Sequence, residues 1–214
     1  MKIAALLLDV DGVLVAPPYA FARWLEANRG LTPADTSTFF RGPFVECVVG
    51  RRDLKDALPP FLDGWGWRDG VEAFLTRWFE EDGDLDSKLV DFVQPLRRAG
   101  LPCYLATMQE QYRVRYMRNE MRCDRLFDGI FASCELGYPK PDPRFFHAIA
   151  EKLQLPAEQL AFWDDGEQNV QAARACGWQA EQYVGFDSFK QHPLTRKMLD
   201  AIDPAGNQAK RGNT

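Results

Sequence analysis

An apolar run near the start of the chain ends in two aspartates that are one residue apart. The run lies within Ile3–Val15, and Asp9 and Asp11 are followed directly by Gly12. A short continuous apolar run bounded by a turn signal is typical of a buried parallel strand. Both carboxylates would then lie at the carboxyl end of the strand, where open α/β sheets bind ligands. A buried strand followed by an acidic turn without a function is the alternative.

The overall composition is that of an ordinary globular protein and argues against several functional classes. The chain has 214 residues, of which 46% are hydrophobic and 27% charged, and its formal net charge is −5. This negative charge argues against a general surface for nucleic acid or for an anionic membrane. No apolar run approaches the roughly 20 residues that a membrane span needs, and the N-terminus lacks the basic segment of a signal peptide. Five widely spaced cysteines favour reduced thiols in a cytoplasmic protein, and both a monomer and a homodimer remain open.

The segment that follows the first strand contains helix signals and no clear strand. It covers residues 16–84, is rich in aromatic residues, and includes a helix predicted over 53–62. A segment of this length is too long for a loop, so we expect a small, separately folded helical unit. Aromatic residues at helical spacing usually serve packing. Trp65, Trp67 and Arg68, in the glycine-rich stretch DGWGWRDG, are the candidates for substrate contact, with packing as the alternative.

Helices and short apolar strands alternate in the second part of the chain. Strands are predicted at 102–106, 129–133, 160–163 and 179–184, and the last helix at 187–202. Such alternation predicts right-handed crossovers and a parallel sheet covered by helices on both faces. We therefore expect a Rossmann-like α/β core made of residues 1–15 and 85–202. The helical unit is inserted after the first strand, and the polar tail 203–214 is expected to be flexible.

Two further polar signatures follow the predicted strands. Thr107 ends the second strand, and a hydroxyl beside the free amides at the start of the next helix suits a phosphate oxygen, although threonine is common at strand ends. Lys140 lies in YPKPDP, where the flanking prolines stiffen the backbone. A lysine held rigidly beside carboxylates is costly unless it serves an anion. A proline-rich turn with a solvated lysine is the alternative.

A second acidic pair ends a later strand. Asp164 and Asp165 follow an apolar stretch and precede a helix with alanines on one face. Four carboxylates that converge at one sheet edge would repel each other strongly without a cation between them. Mg²⁺ is the usual hard cation for oxygen ligands of this kind. The repeated acidic pair therefore predicts a magnesium site formed with Asp9 and Asp11.

The four signatures together resemble the haloacid dehalogenase-like superfamily of hydrolases, which are predominantly phosphatases. The matching pieces are DVDGV, the threonine after a hydrophobic strand, YPKPDP and DDGEQNVQAARACG. The resemblance extends from the first strand to about Gly177. It is most similar to the subfamily I phosphatases, whose small helical cap of the C1 type follows the first motif. The resemblance implies that residues 16–84 are such a cap.

The resemblance also implies a role for each matching residue. Asp9 would be the nucleophile that forms an aspartyl-phosphate. Asp11 would be the general acid for the leaving alcohol and then the base that activates water. Thr107 and Lys140 would hold the transferring phosphoryl group. Related phosphatases often carry asparagine after the motif threonine; here Met108 leaves only its backbone amide for phosphate, so we expect an altered substrate fit.

The metal and the reaction follow from the same resemblance. Asp164 and Asp165 would hold Mg²⁺ together with Asp9 and the backbone carbonyl of Asp11, and Asp165 is the surer direct ligand. Dehalogenating members lack a general acid at the place of Asp11, so phosphate-ester hydrolysis is favoured over halide displacement. We expect a Mg²⁺-dependent phosphatase of small phosphorylated metabolites, such as sugar phosphates.

Two other functions share these residue types. A phosphomutase of the same superfamily would keep its phosphorylated aspartate long enough to phosphorylate a second sugar. A non-enzymatic phospho-accepting signalling module also gathers acidic residues, a hydroxyl residue and a lysine at strand ends. Such a module is a compact domain of roughly 120 residues, which the long helical insertion does not suit.

Overall fold

A single parallel sheet of five short strands forms the centre of the molecule. The computed structural model describes residues 2–202, so the tail predicted at 203–214 lies outside the described residues. The strands are β1 (Ala5–Leu8), β2 (Cys103–Thr107), β3 (Ile130–Ala132), β4 (Leu160–Asp164) and β5 (Gln179–Gln182). Their order across the sheet is β3-β2-β1-β4-β5. The chain therefore reverses its direction of progress at the central strand β1, which places a ligand crevice at the carboxyl end of β1.

Helices make up most of the remaining described chain. The segment between β1 and β2 forms α1 (Ala20–Arg29), α2 (Pro33–Phe40), α3 (Pro43–Val48), α4 (Leu54–Ala57), α5 (Pro59–Gly64), α6 (Gly70–Glu81) and α7 (Ser87–Arg98). The later helices are α8 (Gln111–Asn119), α9 (Cys123–Leu126), α10 (Ser133–Leu136), α11 (Pro143–Leu153), α12 (Glu167–Ala175), α13 (Phe186–Gln191) and α14 (Pro193–Ile202), with a 3₁₀ turn at Ala157–Gln159. Within the described range, no helix is both long and apolar enough to span a membrane.

Prolines divide two helices that the sequence predicts as continuous. The prediction of one continuous helix over 53–62 is wrong, because α4 ends at Ala57 and Pro59 begins a separate helix, α5. Proline has no N–H to continue the hydrogen-bond ladder of the preceding turn. The helix predicted over 187–202 is likewise two helices. His192, with φ −59° and ψ 138°, adopts the extended conformation that a following proline favours, and α14 starts at Pro193.

The central strand is buried on both faces of the sheet. Leu6 and Leu8 belong to the hydrophobic cluster that includes Val93 of α7, whereas Leu7 belongs to the cluster on the other face with Phe146 of α11. All side chains of β1 are fully buried. Because side chains alternate along a strand, a strand covered on both faces needs apolar residues at every position. This explains the uninterrupted apolar run at the start of the sequence.

The segment between residues 16 and 84 has a hydrophobic cluster of its own. Phe74 of α6 lies at its centre, with ring centroids 5.1 Å from Phe21, 5.8 Å from Trp65 and 5.2 Å from Trp67. The buried members of this cluster all come from residues 21–79. The aromatic richness of the segment is thus used in packing, mostly among the side chains of these short helices.

Polar contacts join this helical unit to the α/β core. Arg113 of α8 is buried and donates to the backbone carbonyl of Phe79 at 2.9 Å and to that of Asp82. The buried hydroxyl of Ser133 donates to the carbonyl of Val48 at 2.7 Å. These bonds satisfy carbonyl groups near the ends of helices α6 and α3. The last carbonyl groups of a helix have no N–H partner within the helix itself.

Candidate active site

The register of the sheet brings the polar strand ends together. Leu8 is aligned with Trp163 of β4, so Asp9 and Asp164 follow side by side. The backbone N–H of Asp9 donates to the carbonyl of Trp163 at 2.9 Å. Thr107 is the last residue of β2, which pairs with the opposite side of β1. Three neighbouring strands therefore end at one edge with an aspartate, a threonine and a second aspartate.

Lys140 is buried between the two aspartates of this edge. Its ammonium nitrogen lies 2.8 Å from Oδ1 of Asp9, 2.5 Å from Oδ2 of Asp164 and 3.2 Å from the carbonyl oxygen of Ala106. Only 5% of Lys140 is exposed. Desolvation works to lower the pKa of this lysine, but the charges of Asp9 and Asp164 outweigh it and raise the pKa. Lys140 is therefore held as a cation beside the carboxyl groups of Asp9 and Asp164.

The two oxygens of Asp9 have different environments. Oδ1 accepts from the backbone N–H of Val10 at 2.7 Å and faces Lys140. Oδ2 has no hydrogen bond to any described residue, which leaves it available to a ligand. Burial raises the pKa of Asp9 to about 8, and the Lys140 charge opposes this increase. Additional positive charge at this edge would favour the carboxylate form further.

Asp164 is fixed more tightly than its neighbour Asp165. Its Oδ1 accepts from the backbone N–H of Gly166 and from Nδ2 of Asn169, both at 2.8 Å, while Oδ2 faces Lys140. Asp164 is fully buried, whereas Asp165 is exposed. Both oxygens of Asp164 thus already have partners, and Asp165 presents the more accessible carboxylate.

The acidic residues fit a hard cation, as the fold family implies. Asp9, Asp164 and Asp165 can each offer one carboxylate oxygen, and these atoms lie within 4.8 Å of one another. Mg²⁺ prefers oxygen ligands of this kind and is usually bound through a small number of carboxylates. The donor set therefore suits Mg²⁺.

Gly12 provides room for Asp165. Its φ of +83° lies in the left-handed region, and a Cβ at this position would lie 2.2 Å from Oδ2 of Asp165. Only glycine combines this backbone conformation with the close approach. The glycine after the first acidic pair thus allows the second pair to reach the same point.

Asp11 lies on the side of the site that faces the helical unit. Its Oδ2 accepts a hydrogen bond of 2.7 Å from Nε2 of Gln109. Burial raises the pKa of Asp11, although the charge of Arg113 and the Gln109 bond act in the opposite direction. A raised pKa favours the protonated form of the carboxyl group, which can donate a proton. Asp11 is half-buried, so a bound molecule could reach it.

Thr107 and Met108 provide two different surfaces at the end of β2. The hydroxyl of Thr107 is buried and has no hydrogen-bond partner among the described residues. An unpaired buried hydroxyl is costly, and an oxygen of a bound anion would satisfy it. Met108, by contrast, is 41% exposed and lies against the adjoining cavity.

A cavity of about 490 Å³ opens from Asp11, Met108 and Gln109 into the helical unit. Trp65, Trp67 and Arg68 do not line it. Trp65 stacks on Phe74 and Trp67 is buried, with its Nε1 donating to the carbonyl of Gly70 at 3.0 Å. Arg68 is exposed and lies 3.7 Å from Asp63. The structure does not bring these three residues to the site, because their stretch completes the aromatic cluster instead.

Sequence reasoning did not assign several residues that the structure brings to the site. Gln109 and Asn169 each hold an aspartate, and Glu110 and Arg113 line the cavity. Asn169 could have been found, since it lies five residues after Asp164 in the second acidic motif. Gln109 has no local signal, because its contact with Asp11 joins positions 98 residues apart.

Sequence and structure comparisons agree with this architecture. A model of the haloacid dehalogenase-like hydrolase family matches residues 3–177. A GMP/IMP nucleotidase, YrfG, from Escherichia coli strain K12 is 26% identical over 180 residues, which are 80% of this chain and 78% of that protein. A structure of a HAD-like hydrolase from Porphyromonas gingivalis superposes with a TM-score of 0.76 at 18% identity, covering 93% of this chain and 98% of that one.

A second solved structure is similar in fold and contains ligands. It is a HAD family enzyme from Bacteroides thetaiotaomicron in complex with magnesium and inorganic phosphate, with a TM-score of 0.71 at 19% identity, covering 87% of this chain and 97% of that one. The family match covers most of the chain and includes all four motifs of the sheet edge. The chain therefore belongs to the haloacid dehalogenase-like hydrolases.

Proposed function

We propose that this protein is a Mg²⁺-dependent phosphatase that hydrolyses phosphate monoesters of small metabolites through an aspartyl-phosphate. The main observation behind the proposal is that Lys140 lies 2.8 Å from Asp9, at the same edge as Thr107 with its unpaired hydroxyl. A nucleophilic carboxylate beside a fixed cation and a free donor suits phosphoryl transfer, which depends on positioning and charge neutralisation. The nucleotidase relative and the phosphate complex of a similar fold support the same reaction class.

Mg²⁺ would be held by Asp9 and Asp165, with the backbone carbonyl of Asp11 and with Asp164 in a supporting position. When bound, it would neutralise negative charge on the phosphate and on the carboxylates. Asp164 would orient Lys140 and share its charge, since both of its oxygens already have protein partners. Asp165 would be the ligand that adjusts most readily, because it is exposed.

In the first step Asp9 would attack phosphorus through the oxygen that faces the ligand. A bond forms between this oxygen and phosphorus while the bond from phosphorus to the leaving oxygen breaks. Asp11 gives its proton to that leaving oxygen, so the alcohol departs neutral. Lys140 and the hydroxyl of Thr107 hold the phosphoryl oxygens during the transfer.

In the second step the aspartyl-phosphate would be hydrolysed. Asp11, now a carboxylate, accepts a proton from water as the water oxygen bonds to phosphorus. The bond between phosphorus and Asp9 breaks, which regenerates the carboxylate and releases inorganic phosphate. Splitting one displacement into two steps is the general advantage of a covalent route.

The test is steady-state phosphate release from p-nitrophenyl phosphate with Mg²⁺, with EDTA and with the Asp9→Asn variant. We expect multiple turnovers that are lost with EDTA or with the substitution. Activity that survives Asp9→Asn would exclude the covalent route through Asp9.

Incubation with acetyl phosphate separates the alternatives. A protein that is labelled at Asp9 but releases no further phosphate would be a phospho-accepting signalling module. A labelled protein that transfers its phosphoryl group to a second sugar faster than to water would be a phosphomutase.

A further inference from the structure

The cavity beside Asp11 determines what the leaving group can be, given the proposed phosphatase function. Asp11 would protonate the leaving oxygen, so the rest of the alcohol must lie on the side of the site that Asp11 faces. That side is the cavity of about 490 Å³, which extends from Asp11 into the helical unit. Its volume exceeds what a phosphate ester with only two or three carbon atoms would fill.

The cavity wall is built mainly from aromatic and aliphatic side chains. They come from four helices of the helical unit and from the loop after α1, and they are Phe21, Leu25, Leu31, Phe40, Phe44 and Trp78. Trp78 contacts Phe40 and Phe44, with ring centroids 5.4 Å apart in both pairs. These rings hold one another in place, so the wall is formed before any ligand binds.

Several polar side chains in the wall already have partners within the protein. The carboxylate of Asp82 accepts from the backbone N–H of Phe21 and from Nε1 of Trp78, both at 3.0 Å. The hydroxyl of Ser37 donates to the carbonyl of Ala34 at 2.7 Å, and Arg113 donates to two backbone carbonyls. Four further lining side chains, those of Tyr19, Arg23, Glu26 and Arg41, are exposed to solvent. Few groups in the interior are therefore left for ligand hydroxyls.

Met108 extends this apolar character to the phosphate side of the cavity. It directly follows Thr107, is 41% exposed and lines the same cavity. A flexible thioether offers dispersion contacts and only a weak acceptor to a ligand. The first carbon atoms of the leaving group would thus meet an apolar surface.

We propose that the leaving group is a bulky, mainly apolar group of ring size or larger. A polyhydroxylated sugar entering this cavity would exchange its hydrogen bonds to water for contacts with rings, which disfavours binding. An apolar group of the same size would release water from both surfaces. The proposal narrows the substrates expected from the sequence, because sugar phosphates become poor candidates.

Two phosphates of nearly equal size test this proposal. Cyclohexylmethyl phosphate and glucose 6-phosphate are both esters of a primary alcohol on a six-membered ring, and they differ chiefly in hydroxyl groups. We expect kcat/KM with Mg²⁺ to be at least about tenfold higher for cyclohexylmethyl phosphate. If p-nitrophenyl phosphate is hydrolysed but the ratio of the two kcat/KM values is smaller than this, the proposal is overturned. Absence of phosphate release from every ester would overturn the phosphatase function as well.

Substitutions of Phe40 provide an independent readout on the same pair of substrates. Phe40→Gln places an amide in the wall, whereas Phe40→Leu keeps it apolar. We expect Phe40→Gln to lower the kcat/KM ratio by about tenfold and Phe40→Leu to change it by less than about threefold. Thermal melts show whether each variant is folded. Equal ratios in two folded variants would overturn the role of the apolar wall.

Geranyl phosphate and guanosine 5′-monophosphate compare two kinds of leaving group. The first is a flexible hydrocarbon, and the second is a nucleoside with a planar base. Faster turnover of geranyl phosphate than of glucose 6-phosphate supports the proposal, whereas a preference for guanosine 5′-monophosphate over both would overturn it, because guanosine carries ribose hydroxyls and polar ring atoms. If both are slower than glucose 6-phosphate, the apolar wall does not select the leaving group and the proposal fails.

Discussion

The carboxyl edge of the sheet and the helical unit above it are built on opposite principles. At the sheet edge, Lys140, Asp9 and Asp164 are buried polar groups that hold one another through short ionic contacts. In the helical unit, rings such as Phe74 and Trp65 pack on each other with few polar contacts. The sheet edge is specified by strand register, and the helical unit by the shapes of its side chains.

The two regions should therefore differ in how well they tolerate substitutions. A buried ionic cluster fails when one member is removed, because the remaining charges are left without compensation. An aromatic cluster can repack if its volume and apolar character are kept. We therefore expect the largest effects from single changes at the sheet edge and smaller effects towards the helical unit.

Removal of the Lys140 charge should have the largest effect. Lys140→Met leaves Asp9 and Asp164 buried side by side without their shared cation. We expect kcat for p-nitrophenyl phosphate to fall by about 10³-fold, since a fixed donor to the phosphoryl group is lost. Steady-state phosphate release with Mg²⁺ measures this effect.

Lys152→Met is the matched control for this change. Lys152 is exposed on α11, so its loss should leave kcat within about twofold. If Lys140→Met retained wild-type kcat, Lys140 would have no part in phosphoryl transfer and the ionic cluster would be purely structural.

Gly12→Ala should have the next largest effect. The added methyl group would lie 2.2 Å from Oδ2 of Asp165, so that carboxylate or the turn has to move. We expect kcat to fall by about 10²-fold, because Asp165 is proposed to hold Mg²⁺ and a displacement of such a group by about 1 Å is sufficient for this loss. The apparent affinity for Mg²⁺, measured by titration of activity, should fall as well.

Gly100→Ala separates this close contact from backbone strain. Gly100 has a similar φ of +87°, and a Cβ there would meet no atom within 4 Å. Both substitutions should lower the free energy of unfolding by about 1 kcal/mol, but only Gly12→Ala should lose activity. Equal losses of activity in the two variants would contradict the contact with Asp165.

The same contrast explains how much the sequence could predict. The parallel sheet and three of the four motifs follow from local patterns, because these three lie directly after apolar strands and strand ends meet at one edge. The Lys140 motif is separated from β3 by α10. The Gln109 contact with Asp11 does not follow, since it depends on how the loop between β2 and α8 lies against the turn after β1. Trp65 and Trp67 show the same limit: their glycine-rich stretch made them candidates for substrate contact, yet both rings pack in the aromatic cluster of the helical unit.

Glu110, at the border of the two regions, should make stability depend on pH. Burial raises its pKa from 4.5 to about 7. Between these values the folded protein keeps a proton that the unfolded chain releases, so the contribution of Glu110 to the free energy of unfolding falls as the pH rises from 4.5 towards 7. The wild type should lose stability with rising pH, and Glu110→Gln should not. We therefore expect the free energy of unfolding of Glu110→Gln, relative to that of the wild type, to be about 2 kcal/mol higher at pH 8 than at pH 5. Urea unfolding at the two pH values measures this difference.

Glu120→Gln serves as the control for Glu110→Gln. Glu120 is exposed just after α8, so its substitution should leave the difference between pH 5 and pH 8 unchanged within about 0.5 kcal/mol. A Glu110→Gln variant with the same pH dependence as the wild type would show that Glu110 titrates normally in the folded protein.

Gln109→Leu should have the smallest effect and one that depends on the substrate. The change removes the 2.7 Å hydrogen bond that orients Asp11 but leaves the ionic cluster intact. For an alkyl phosphate, whose leaving oxygen needs a proton, we expect kcat to fall by about tenfold. For p-nitrophenyl phosphate the fall should be less than about twofold, because p-nitrophenolate departs without protonation.

The difference between these two substrates decides whether Gln109 acts through Asp11. Gln171→Leu, on the exposed face of α12, is the control for loss of a glutamine and should affect neither substrate. An equal fall for both substrates would indicate a general disturbance of the site rather than of proton transfer. A selective fall for the alkyl phosphate would mean that the loop after β2 supplies one requirement of catalysis, so that proton donation depends on loop conformation as well as on strand register.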